Sequence, residues 1–231
     1  MLIALLVQGC ATVLQPSEST PASSPDSGQA GETKAATPVQ LTPDEIWEKH
    51  KLVLLDIDSW AMKGKMSVKT SRKGGSATVR WKRETAKHDV EIYGPFGGGR
   101  VRITEDPFGA TLTDSKRNVT IGETAYDVLY EQVGWPVPFD PLKYWVLGLP
   151  IPDVWAEWRI NETGQLAWLR QAGWEVEFDQ YRDRDGIPMP RKLRLNALPG
   201  TVNLTLPDGT ESDALEVKFV IQRISYENVG S

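Results

Sequence analysis

Cysteine is almost missing from this chain: Cys10 is the only one among 231 residues. No internal disulfide is possible, so burial and hydrogen bonding alone must hold the fold. Histidine is nearly as scarce, with two residues, which leaves no histidine cluster for a metal. Positive charge is not in excess. Twenty-six Lys and Arg stand against 31 Asp and Glu, a formal net charge of −5, and no basic stripe runs along the sequence to neutralise the phosphates of nucleic acid. Apart from the short apolar run at residues 2–7, nothing approaches the roughly 18 residues of a membrane-spanning helix. No nucleophile elbow and no Cys/His dyad is present. Gly97, Gly98 and Gly99 open no helix, so they make a poor phosphate cradle. Asp183-Arg184-Asp185-Gly186 lacks the further ligands and closing Glu of a calcium loop and reads as a charged hairpin turn. No enzyme, cofactor or metal site is expected.

What is present is ordinary globular material, 40% hydrophobic and 25% charged, preceded by a polar stretch. Residues 11–40 are rich in Ser, Thr, Pro, Gly and Ala and carry too little apolar surface to fold, so they read as a tether. A flexible chain of that length has a root-mean-square reach of about 30 Å. A helix follows, with Thr42 as its cap, Pro43 in the first turn and a stripe of Ile46, Trp47, His50, Leu54 and Ile57. His50 reads as a packed helix histidine rather than a ligand.

From Trp60 the period changes to two. Met62, Gly64, Met66 and Val68 alternate with Lys63, Lys65, Ser67 and Lys69, and the same alternation returns at 77–82, 89–92, 100–104 and 110–113. Further strands are expected at 154–160, 165–170, 174–181, 189–197, 202–206 and 215–224. Strands with one apolar and one charged face make an antiparallel sheet wetted on one side. The expected fold is therefore mainly β with α: a single curved antiparallel sheet of about eleven strands, a half-open barrel, with helices covering its concave apolar face.

A helical insert over about 123–147 interrupts the strands, its first helix presenting Tyr126, Leu129, Tyr130 and Val133. Residues 134–152 then crowd proline, glycine and aromatics together. Trp135-Pro136 and Val137-Pro138 are rigid dipeptides leading into a short helix at about 140–147; Gly148 suits its C-terminal cap and Pro150 forbids its continuation.

Three blocks carry a resemblance. The first is Gly134-Trp135-Pro136-Val137-Pro138 with Leu142-Lys143-Tyr144-Trp145-Val146-Leu147-Gly148-Leu149-Pro150. The second is Gln171-Ala172-Gly173-Trp174-Glu175-Val176 followed by Tyr181, Pro190, Leu193 and Leu195. The third is the Gly94-Pro95-Phe96-Gly97 turn. Together, and in the family's order along the chain, over roughly 60–224, these blocks make the chain resemble the LolB family, the outer-membrane lipoproteins of Gram-negative bacteria that receive other lipoproteins.

The resemblance implies a division into a signal-peptide remnant at 1–9, a lipidated Cys10 with its tether at 10–41, and a LolB-like domain at 42–231. Cys10 follows a short apolar run and Gly9 in a pattern resembling a lipobox, although Val7 replaces the usual leucine and no basic segment precedes it; the true start is expected upstream. Ala11 rather than aspartate after Cys10 implies the outer membrane, with the domain facing the periplasm. Phe96 stands where the family carries a protruding hydrophobic residue, usually leucine, that places cargo into membrane.

An acyl-chain cavity needs broad apolar walls. Among the chain's Met and nine Trp residues, and by strand parity and helix position, the expected walls are Met66, Trp81, Val90, Ile92, Trp145 and Trp174. The implied partners are a periplasmic lipoprotein carrier (LolA-like), acylated lipoproteins and outer-membrane phospholipid, the chain acting as a monomer. The competing reading is a lipid-binding structural lipoprotein of the same fold that transfers no protein cargo.

Overall fold

The computed structural model describes residues 40–71, 74–94, 99–205, 211–212 and 214–227. Helix α1 (Pro43–Leu55) opens on a reciprocal cap. The Thr42 hydroxyl accepts the Glu45 N–H at 3.3 Å, and the Glu45 carboxylate accepts the Thr42 N–H at 2.8 Å, which satisfies two otherwise orphaned amides. Of the expected stripe, Trp47 and Leu54 are buried, and Ile57 is buried just past the helix end. His50 is half-buried, edge-on to Trp47 at a ring separation of 6.5 Å.

Fifteen strands follow among the described residues. The first six are β1 (Ser59–Thr70), β2 (Gly74–Glu84), β3 (Lys87–Gly94), β4 (Gly99–Asp106), β5 (Gly109–Thr113) and β6 (Val119–Gly122). Helices α2 (Ala125–Val133) and α3 (Phe139–Trp145) interrupt them. Then come β7 (Ala156–Ile160), β8 (Leu166–Gln171), β9 (Trp174–Asp179), β10 (Arg182–Arg184), β11 (Ile187–Met189), β12 (Lys192–Ala197), β13 (Leu204–Thr205), β14 (Glu211–Ser212) and β15 (Leu215–Tyr226).

Eleven of these form one antiparallel sheet in the order β6-β5-β4-β3-β2-β1-β15-β12-β9-β8-β7. Two meanders meet at its centre, where β1 pairs with β15 from Trp60↔Tyr226 to Thr70↔Leu215. The register shifts between Lys63 and Gly64, leaving Gln222 as the extra residue of a bulge. Gly64 is needed there, because a β-carbon would lie 2.6 Å from the Val220 carbonyl oxygen. β6 and β7 are the free edges, so the sheet stays open.

Along the central strands alternate residues point inward. Met62, Met66 and Val68 of β1 are buried with Val79 and Trp81 of β2, Val90 and Ile92 of β3, and Val217, Phe219 and Ile221 of β15. Against this face α2 packs on β4, β5 and β6. α3 reaches from Phe139, edge-on to Trp81 of β2 at 5.4 Å, to Trp145, whose indole N–H is 3.4 Å from Gln171 of β8. A seven-residue helix thus ties together strands five places apart, and the sheet curls round it.

The strand count matches the expectation, but the membership differs. Of the expected strand at 202–206, residues 202–205 are described and do not enter the main sheet; Leu204–Thr205 form the two-residue strand β13, paired with β14. Its place is taken by β6, whose apolar residues Val119 and Ile121 face solvent, the reverse of the alternation that reveals a half-buried strand. The expected strand at 189–197 divides at Pro190, the part before it closing a hairpin with β10. Tyr130 of the α2 stripe is exposed rather than buried. The Asp183–Gly186 turn is the charged hairpin that the sequence implies, its Gly186 N–H donating to Asp183 Oδ1 at 3.1 Å.

Candidate functional site

The concave face divides into two aromatic ends with a methionine between. At one end Trp81 lies directly across from Val90, with Ile92 two residues further along β3; Trp60 and Phe139 meet the Trp81 ring edge-on at 5.0 and 5.4 Å. At the other end Trp145 of α3 approaches Gln171, whose cross-strand partner is Trp174. Met66 stands on the central strand between Ala77 and Phe219. All six expected wall residues are buried. Met66, Trp81, Val90, Ile92 and Trp174 are on the inner face of the sheet, as strand parity implies, and Trp145 is on α3, which covers it.

The cover is pinned at identifiable points. α2 begins with a Thr124/Asp127 capping box and ends at Gly134, whose φ is +70°. Residues 136–139 are buried. α3 ends in the arrangement that the glycine position implies: the Leu149 N–H bonds to the Tyr144 carbonyl at 3.2 Å and the Gly148 N–H to the Trp145 carbonyl at 2.9 Å, with Gly148 at φ +83°.

Beyond it, Gln171 uses its full hydrogen-bonding capacity. Its Oε1 accepts from the Ile151 N–H at 2.8 Å and the Trp145 indole at 3.4 Å, and its Nε2 donates to the carbonyls of Ile151 and Val154, both at 2.9 Å. The side chain is 1% exposed. The sequence places this glutamine in a block shared with the family but assigns it no role. The available signal was its parity: it points inward two residues after Leu169, where an apolar side chain belongs.

A second buried polar contact joins β2 to β3 beneath the cover. The Trp81 indole N–H donates to His88 Nδ1 at 3.1 Å, which requires that nitrogen to be unprotonated. Burial, with Lys143 and Arg83 nearby, pushes the His88 pKa down to about 4. The unfolded chain takes up a proton near pH 6.5, whereas the folded chain does not. The His88 contribution is therefore complete above about pH 6.5 and is lost as the pH falls toward 4. Allowing for solvent screening, the loss amounts to about 2 kcal/mol. Urea unfolding at pH 7 and pH 4.5 checks this. The His88→Gln variant, which keeps an acceptor for the indole and does not titrate, should lose less stability over that interval than the parent.

Phe96 and Cys10 lie outside the described residues; the strand ends flanking the Phe96 turn are Tyr93-Gly94 and Gly99-Arg100. A related feature was missed in the sequence. Pro107-Phe108-Gly109 repeats the Pro95-Phe96-Gly97 pattern at the other end of β4, and Phe108 is 98% exposed. Among the described residues, no helix is long and apolar enough to cross a membrane.

Comparison with known proteins bears on this architecture directly. Residues 58–222 match the family model described as outer membrane lipoprotein LolB. The chain is 31% identical over 164 residues to the outer-membrane lipoprotein LolB of Pseudomonas aeruginosa, covering 71% of this chain and 80% of that protein. It is 32% identical over 162 residues to the LolB of Pseudomonas putida, covering 70% and 79%. Among solved structures, a LolA superfamily protein from Nitrosomonas europaea aligns with a TM-score of 0.47 at 8% identity, covering 82% of this chain and 96% of that one.

Proposed function

The chain belongs to the LolB family of outer-membrane lipoproteins, and from that membership we propose that it accepts acylated lipoproteins from a LolA-like periplasmic carrier and inserts them into the inner leaflet of the outer membrane. The observation that carries the proposal is the apolar concave face, walled at both ends by tryptophan and covered by an insert that packs on it through apolar residues such as Leu129, Phe139, Leu142 and Trp145. Broad apolar walls suit acyl chains of differing length, and methionine adapts to them. In the described state the face is filled, so cargo enters by displacing α2 and α3 from Trp81, Trp145 and their neighbours.

The protein works as a monomer and without chemistry on its cargo. Acyl chains move from weaker to stronger apolar binding and then to bilayer. Cys10 carries the lipid anchor. Each buried methylene contributes about 0.8 kcal/mol, so one chain anchors marginally and several anchor firmly. Phe96 makes the last step: its burial in lipid contributes about 1.5–3 kcal/mol, enough for transient insertion and too little for anchoring.

The experiment compares Phe96→Glu and Phe96→Leu in cargo delivery to vesicles. Phe96→Glu should still take cargo from the carrier but release at least tenfold less into membrane, while Phe96→Leu delivers as the parent does. Unchanged delivery by Phe96→Glu would remove Phe96 from the insertion step, whereas a parent that binds acyl lipid but takes no cargo from the carrier would favour a lipid-binding lipoprotein that transfers no protein cargo.

A further inference from the structure

Although the chain is acidic overall, pairing the strands concentrates positive charge in one place on the convex face. Lys63 of β1 lies directly across from Arg80 of β2 on one side and Arg223 of β15 on the other. With neighbouring strands about 4.8 Å apart, three cationic side chains stand abreast over roughly 10 Å. Lys65 follows on the same face of β1, and Lys82 extends the group on β2. Lys63, Arg80, Lys82 and Arg223 line a shallow groove of about 330 Å³ together with Asp89 and Glu91.

The two acids neutralise it only in part, through Arg80, which also donates to the Tyr93 hydroxyl at 3.3 Å. Asp89 is taken by Arg102, whose Nε donates at 3.1 Å and whose Nη2 pairs with the second oxygen. Glu91 is taken by Arg100 and the Tyr93 hydroxyl, with Arg80 Nη1 further off at 3.8 Å. Lys82 pairs with Glu84. Among the described residues, Lys63, Lys65 and Arg223 have neither an ion-pair nor a hydrogen-bond partner. Like charges set directly opposite on a sheet destabilise it, and among the described residues only Arg80 of the three has a partner to offset the cost.

We propose that this groove binds the phosphodiester groups of anionic phospholipid, so that the convex face around Lys63, Arg80 and Arg223 rests on the bilayer surface. Continuity argues for a lipid surface rather than an acidic protein. Arg80 and Arg100 sit over the Tyr93 ring at 5.2 and 5.4 Å, and Tyr93 stands three residues before Phe96 in the sequence. The basic groove and the hairpin that carries the membrane turn thus share one surface. This geometry rests on the membrane role given to Phe96 above and adds to it a charge-selective contact.

The test is flotation of the full chain carrying Cys10→Ser, which removes the anchor. The vesicles are phosphatidylcholine with phosphatidylglycerol, or phosphatidylcholine alone. The parent should partition onto the anionic vesicles and lose that preference as salt is raised. Combining Lys63→Ser, Arg80→Ser and Arg223→Ser should weaken partitioning roughly a hundredfold, at about fivefold per charge, with a thermal midpoint no lower than the parent's.

Equal binding of the parent to both vesicle types overturns the proposal, as does undiminished binding by the triple variant. Inorganic phosphate that protects the same three residues without vesicle partitioning also overturns it, in favour of a soluble anion. So does a triple variant that floats normally but no longer binds the carrier, in favour of an acidic protein. Cargo handover in solution is scored separately, so failure here leaves the receptor reading standing.

Discussion

Replacing Gln171 with leucine is expected to lower the stability of the domain by about 3 kcal/mol, although the two side chains are close in size. The leucine leaves the Ile151 N–H and the carbonyls of Ile151 and Val154 without the partners they have at 2.8 to 2.9 Å, and it removes the acceptor for the Trp145 indole. Each such group, once buried and unpaired, costs about 1–3 kcal/mol, and the value is smallest where water can enter. In a domain of this size the effect on a melting curve is roughly 6–12 °C.

Gln171→Glu sharpens the prediction. It keeps an acceptor for the Ile151 N–H and the Trp145 indole but turns an oxygen toward the carbonyls of Ile151 and Val154 and buries a charge. It should be at least as destabilised as Gln171→Leu at pH 7, then recover in part at acid pH, where the protonated carboxyl regains one donor. A leucine variant that melts with the parent would show that the cover is not held at this point.

The second large effect is expected at Gly148. Its φ of +83° lies in the left-handed region, which costs other residues about 1–2 kcal/mol. A β-carbon there would also stand 2.9 Å from the Tyr181 hydroxyl and 3.3 Å from Pro190 Cδ. Tyr181 cannot yield freely, because that hydroxyl donates to the Leu166 carbonyl at 2.7 Å. Gly148→Val therefore strains the backbone and breaks a buried hydrogen bond together, for a loss of about 3 kcal/mol or more. Gly148→Ala should lose less, since it adds only the β-carbon. Thermal unfolding followed by tryptophan emission checks both variants; a valine variant as stable as the parent would contradict the packing described here.

These two residues also show how far the sequence could be read. Gly148 was legible, because a glycine after a short helix and two residues before Pro150 is a local signal. So was the Thr42–Glu45 cap, and so was the inner face, since Met66, Trp81, Val90 and Ile92 follow from a period of two. β6 was not legible: an edge strand with Val119 and Ile121 turned to solvent inverts the pattern by which strands are recognised. The work done by Gln171 was hidden for another reason. Its four hydrogen bonds reach three residues, Trp145, 26 residues away, and Ile151 and Val154 across a loop, and no spacing rule connects them. The basic groove was invisible in the same way. Lys63, Arg80 and Arg223 are spread over 160 residues and become neighbours only through the pairing of β1 with β2 and β15.

The most direct test of the central claim is a handover experiment. The chain with Cys10→Ser is mixed with a periplasmic carrier already holding an acylated lipoprotein, and the protein that holds the cargo is identified after separation. The receptor account predicts that the cargo passes to this chain. Cargo that stays on the carrier, while this chain is shown to be folded and able to bind free acyl lipid, would contradict it.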